Sequence, residues 1–150
     1  MLRWLDIPPV WLALFLALAW CQSQVLTLGL SLGGRWADFV GGLLTGGGVI
    51  LIALAASEMR RQKTTIVPHL EANRLVQSGI FSRTRNPIYL GDLLILLGMS
   101  IYWDAVLALV LVPVFLWIIE RRFVIPEENR LRIKFRADFA RYCQKVRRWV

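Results

Sequence analysis

The sequence predicts an all-α, polytopic membrane protein. It should have about four transmembrane helices, the last two paired as a short hairpin, and then an amphipathic C-terminal helix. Three observations carry this expectation. Hydrophobic residues fill 57% of the 150 positions and mean hydropathy is +0.54, more apolar than soluble domains run. Long uncharged stretches alternate with basic blocks, as membrane spans alternate with loops. With four crossings, 17 of the 18 Lys and Arg residues fall on one face, the distribution that cytoplasmic loops prefer.

The first span, residues 8–30, contains "VWLALFLALAW" and no charge. It lacks the small-residue cleavage pattern of a secretory signal and is therefore expected to be mature structure. The second span, residues 36–57, carries Asp38 near its start and the run "GGLLTGGG". Small residues inside an apolar helix allow close helix packing. No Gly-x-Gly-x-x-Gly follows a strand, and no alternating strand–helix pattern would build a soluble nucleotide-binding fold. Residues 88–120 would form a helix of about 50 Å, too long for one crossing. "SIYWDA", residues 100–105, is the most polar point of that stretch, so the chain is expected to turn there between arms at 89–101 and 104–120.

Six basic residues lie between 58 and 86 and ten between 121 and 150, against Arg35 alone on the opposite side. Three crossings would put the two basic blocks on opposite faces; four crossings bring them together, with both termini cytoplasmic. The net charge of +8 thus reads as attraction to anionic lipid, and no nucleic-acid-binding motif accompanies it. The loop 58–87 has no strong helical period and is broken by Pro68, Ser78–Gly79 and Pro87. Its apolar residues predict a segment that folds back over other structure. In the last block Leu131, Phe135, Phe139, Tyr142 and Val146 recur at helical spacing, predicting an amphipathic helix over 127–146. His69 stands alone, and Cys21 and Cys143 lie far apart, so neither a metal site nor a disulfide is expected.

The order of motifs then becomes specific. "LVQSGIFSRTRNPIYLG", a hydrophobic hairpin and "PEENRLRIKFRADFARYCQKV" together resemble the isoprenylcysteine carboxyl methyltransferase family and related small integral-membrane phospholipid methyltransferases. The similarity covers about residues 63–148. The family's Arg-His-Pro-x-Tyr-x-Gly has a counterpart at each position except the histidine, which here is Asn86. Asparagine keeps a donor and an acceptor but does not titrate.

What the resemblance implies is an enzyme that uses S-adenosyl-L-methionine, bound between the cytoplasmic ends of its helices. By motif position its contacts are Asn73, Arg74, Leu75, Val76, Phe81, Asn86, Pro87, Ile88, Tyr89 and Glu127. Arg121 or Arg122 would hold an anionic acceptor, with an isoprenylcysteine-type carboxylate as the leading case. Phosphatidylethanolamine, a small thiol or an amine are the alternatives. The same residues have plainer readings. Pro87 and Tyr89 suit a helix start and an interfacial anchor. Glu127 and Glu128 follow Pro126, where a first helical turn favours acidic groups. Asp92 is an intramembrane carboxyl, an expensive group to bury. A non-enzymatic membrane protein whose basic loops bind anionic lipid accounts for the charge pattern equally well, but not for the ordered motifs.

Overall fold

The computed structural model describes residues 6–26, 29–63 and 74–150, and all regular structure among them is helical. α1 spans Pro8–Val25, shorter than the expected 8–30. Pro8 and Pro9 open it, where a missing N–H removes no helical bond. Phe15 and Ala19 point inward, while Leu14, Leu18 and Trp20 are exposed.

α2 spans Arg35–Arg61 and is about 40 Å long. Among the described residues it is the helix long and apolar enough to cross a membrane by itself, and only 17% of its most apolar window is buried. Its inner face is set by glycine. A Cβ on Gly41 would lie 2.7 Å from the Gly98 carbonyl oxygen, and one on Gly48 would lie 2.6 Å from that of Gly91. The reverse pairs are as tight, so α2 and α3 approach backbone to backbone at two levels, about two helical turns apart. Gly42, Gly46 and Gly47 have open space instead. The run "GGLLTGGG" therefore serves packing through Gly41 and Gly48.

α3 covers Pro87–Tyr102, and Pro87 occupies its first turn. The chain reverses at Trp103–Ala105, as the polar point of the sequence predicts. Asp104 there adopts φ 55°, a left-handed value that Asp tolerates better than most residues. A 3-10 turn, Val106–Val110, leads into α4, Leu111–Ile119, with Pro113 in its first turn. Asp104 also fastens the preceding loop: it accepts the Ser31 hydroxyl at 2.5 Å and the Leu32 N–H at 2.7 Å. Gln22 of α1 accepts the Ala108 N–H at 3.0 Å. Both hairpin ends are thus tied together.

The sequence predicts a break between residue 120 and a new helix at 127, and here the structure differs. α4 passes without interruption through a π-helical turn, Glu120–Val124, into α5, Ile125–Lys145. The physical reason lies in Pro126. It has no N–H to donate, and the Ile125 N–H instead reaches the Glu120 carbonyl five residues back. Proline here widens one turn without ending the helix. The break comes later, at Arg136, with φ 39° and ψ −109°.

Phe15, Tyr89, Leu96, Phe115, Ile119, Phe123 and Val124 form the main core where α1, α3 and the α4–α5 rod meet. The Phe15 and Phe115 rings stand 5.2 Å apart. A second cluster, Phe139, Tyr142 and Val146, takes in Leu131 and Phe135, so the amphipathic stripe read from the sequence is the buried one.

Candidate functional site

At the C-terminal end of α2, the loop 74–86, the start of α3, the π turn and the chain terminus converge. Glu58 fixes the loop to α2. Its carboxylate accepts Ser78 Oγ at 2.5 Å, Arg61 Nη2 at 2.9 Å and Gln62 Nε2 at 3.3 Å. Gly79, at φ 59°, lets the backbone pass against it, since a Cβ would sit 3.0 Å from Glu58 Oε2. Beyond this point Val76 and Phe81 bury against Ala55, with Ile88 and Met59 alongside. Leu75 joins the C-terminal cluster. The loop does fold back over the bundle, as its apolar residues predict.

The loop then clasps the chain terminus. The Tyr142 hydroxyl donates to the Phe81 carbonyl at 2.6 Å, and burial pushes that hydroxyl's pKa up. The Arg85 N–H donates to the Arg147 carbonyl at 3.1 Å. Thr84 Oγ1 and Asn86 Nδ2 both donate to the Arg148 carbonyl, at 3.2 and 3.1 Å. The Arg85 guanidinium reaches the Val146 carbonyl at 3.2 Å and Glu128 Oε1 at 3.0 Å. Arg148 grips Glu128 from the other side, at 2.7 Å between Nη2 and Oε2, and holds Glu120 at 2.5 Å. The hydrogen bond to Glu128, then that to Glu120, raises the Arg148 pKa above its ordinary value.

Several expectations are revised by these contacts. Glu128 is buried between two arginines and is not simply an acid at a helix start, because the helix begins well before it. Glu120, at the end of the second expected arm, pairs with Arg148. Arg122 Nε donates to Asp6 at 2.7 Å and its guanidinium lies 5.4 Å from the Trp11 ring, which ties the rod to the base of α1. That contact raises its pKa. Arg121 is exposed and forms no ion pair among the described residues.

Of the residues expected to bind a cofactor, Leu75, Val76, Phe81, Asn86, Pro87, Ile88 and Tyr89 gather at this end of the bundle, all wholly or partly buried. Arg74 is exposed. Asn73 lies outside the described residues, as does His69. The contact that joins the two motif halves runs from the Tyr89 hydroxyl to Glu127 Oε2, 3.1 Å across 38 residues of sequence. Glu58, Thr84 and Arg148 escaped sequence reading. Their partners lie 20 to 64 residues away, beyond any local period. Among the described residues Asp92 is 5% exposed, and its Oδ2 is buried without a hydrogen-bond partner.

Comparison with protein families matches residues 36–138 to phospholipid methyltransferases. The matched part holds α2, the loop, the hairpin and both glutamates. The chain belongs to the phospholipid methyltransferase family. That family includes the isoprenylcysteine carboxyl methyltransferases named by the sequence resemblance. Membership makes the chain a membrane methyltransferase. An uncharacterized protein of Haemophilus influenzae is 40% identical over 63 residues, which is 42% of this chain and 100% of the relative. No solved structure matches.

Proposed function

We propose that the chain transfers a methyl group from S-adenosylmethionine to the head of an amphiphile at the cytoplasmic face of a membrane. It crosses that membrane four times, with both termini cytoplasmic. The Tyr89–Glu127 bond is the observation that carries this reading, because it joins the two separated motifs into one polar point. The donor set there fits the cofactor: a carboxylate suits its hydroxyl and ammonium groups, and the apolar Val76 and Phe81 suit its base. Bound there, S-adenosylmethionine supplies an activated methyl group on a sulfonium.

What the protein contributes is alignment and dryness. Two reactants held in register avoid the entropy of their encounter. Exclusion of water favours a step in which positive charge disperses. The clasp of residues 84–86 on residues 146–148 closes the end of the site against solvent, and the exposed apolar face of α2 admits a lipid from the side. By resemblance the leading acceptor is an isoprenylcysteine-type carboxylate, with Arg121 available to hold it. The family's description favours a phospholipid amine head.

The test is equilibrium binding of S-adenosylhomocysteine to the detergent-purified chain, wild type and Glu127→Gln. A hydrogen bond to a charged group is worth about 1.5–3 kcal/mol, so at least about tenfold weaker binding is expected in the variant. Unchanged affinity would return Glu127 to a packing role. No binding by the wild type would favour a non-enzymatic protein that engages anionic lipid.

A further inference from the structure

Asp92 stands one helical turn below Tyr89 on α3, on the side that Tyr89 and Leu96 bury in the main core. Residues three apart on a helix are neighbours, so Asp92 stands next to Tyr89, whose hydroxyl bonds Glu127. It is 5% exposed and makes no hydrogen bond or ion pair among the described residues, with Oδ2 fully enclosed. Burying an unpaired carboxylate is expensive, and more so in a helix that the proposed topology places in the bilayer. Packing alone does not call for an ionisable group at this position. A ligand that brings a donor and a positive charge would satisfy both needs.

We propose that Asp92 receives the acceptor's protonated nitrogen and takes a proton from it, so that the chain selects an amine head over a carboxylate. This rests on the methyltransferase reading above. An ammonium has no lone pair to attack with. The proton passes from the ammonium to the Asp92 carboxylate, leaving a neutral amine and a carboxylic acid. The nitrogen lone pair then forms the N–C bond as the S–C bond breaks, and the electron pair of that bond stays on sulfur. The methylated nitrogen leaves as an ammonium, and the Asp92 proton returns to water when the products depart. A carboxylate acceptor needs no such base, and a buried anion beside it would repel it.

The test uses the full chain in nanodiscs, with short-chain phosphatidylethanolamine and a prenylated cysteine as alternative acceptors. S-adenosylhomocysteine binding is measured in parallel. General base catalysis contributes about 10²–10⁴-fold, so Asp92→Asn should lower transfer to the ethanolamine head at least about hundredfold while cofactor binding persists. Asp92→Glu, which keeps the carboxylate, should recover part of the rate, and it decides the matter should the asparagine variant fail to bind cofactor. Wild-type rates on the ethanolamine head in Asp92→Asn would overturn the proposal. So would equal loss in the glutamate and asparagine variants with binding intact. Transfer only to the prenylated cysteine by the wild type would overturn it while leaving the methyltransferase standing. A wild type that binds no cofactor would overturn both.

Discussion

Replacing Glu128 by glutamine keeps the side chain's shape and removes its charge, which isolates the joint that holds the chain terminus. Three charge-assisted bonds end on this carboxylate: Arg85 Nη2 at 3.0 Å, Arg148 Nε at 3.2 Å and Arg148 Nη2 at 2.7 Å. Each such bond is worth about 1.5–3 kcal/mol, but bonds that share partners do not add. Arg148 is 34% exposed and keeps Glu120, so solvent screens its share. Arg85 decides the outcome. Its side chain is 12% exposed, its Nε is already unpaired, and only the Cys143 and Val146 carbonyls would remain to it. A buried charge stripped of its partner costs about 3–5 kcal/mol, and the two carbonyls soften that to about 2–4 kcal/mol. Glu120→Gln is the matched control. It removes a pair whose members are 29% and 34% exposed, worth less than about 1 kcal/mol. In detergent melting curves, the Glu128 variant should fall by about 5–15 °C on the scale of domains this size, and the Glu120 variant by no more than about 3 °C. Trypsin should cut after Arg147 and Arg148 faster in the first variant alone. Equal shifts in the two variants would refute the claim that burial of Arg85 makes Glu128 the decisive partner.

The glycine seam gives a second expectation. Gly48→Ala and Gly91→Ala each force a Cβ to within 2.7 Å of the opposing backbone and should cost about 1–3 kcal/mol in the same melts. Gly46→Ala, with open space around it, should be neutral or slightly stabilising by up to about 1 kcal/mol. Reporter fusions after residues 57, 103 and 150 should read inside, outside and inside; an outside C-terminus would remove the four-span topology. Arg121→Lys separates the acceptor classes, because lysine cannot mimic a bidentate clamp on a carboxylate. An amine acceptor predicts an unchanged rate, and loss of turnover with intact cofactor affinity would restore the carboxylate.

Elements written in local chemistry were legible from the sequence. The turn at Asp104 announced itself as the most polar point of a stretch too long to be one span. Pro87 suited a helix start and α3 does open on it, two residues before the expected arm at 89, and the stripe from Leu131 to Val146 foretold the buried face of the last helix. The Tyr89–Glu127 pair fell among the positions named by motif order. What stayed hidden depends on the partner more than on the residue. Pro126 looks like a helix breaker, and only the hydrogen bond from Ile125 to Glu120 shows how the helix absorbs it. Arg148 is one of ten basic residues in its block, with nothing local to distinguish it. Its role appears only when residues 84–86 lie against it. Asp92 was visible as a costly group, but its isolation is a property of everything around it.

The π turn carries a consequence of angular phase. A helix advances about 100° per residue, so one extra residue in a turn rotates everything beyond it by that amount relative to everything before. Phe115 and Ile119 of α4 face the main core, while Glu128 beyond the turn faces Arg85. A shortening by one residue within Glu120–Val124 would restore an ordinary helix and leave every side chain outside the turn intact. It would also swing Glu127 and Glu128 about a quarter turn off their partners. The aim of both carboxylates is therefore stored in the count of residues between Ile119 and Pro126, and a chain with the right amino acids but the wrong count would have nowhere to point them.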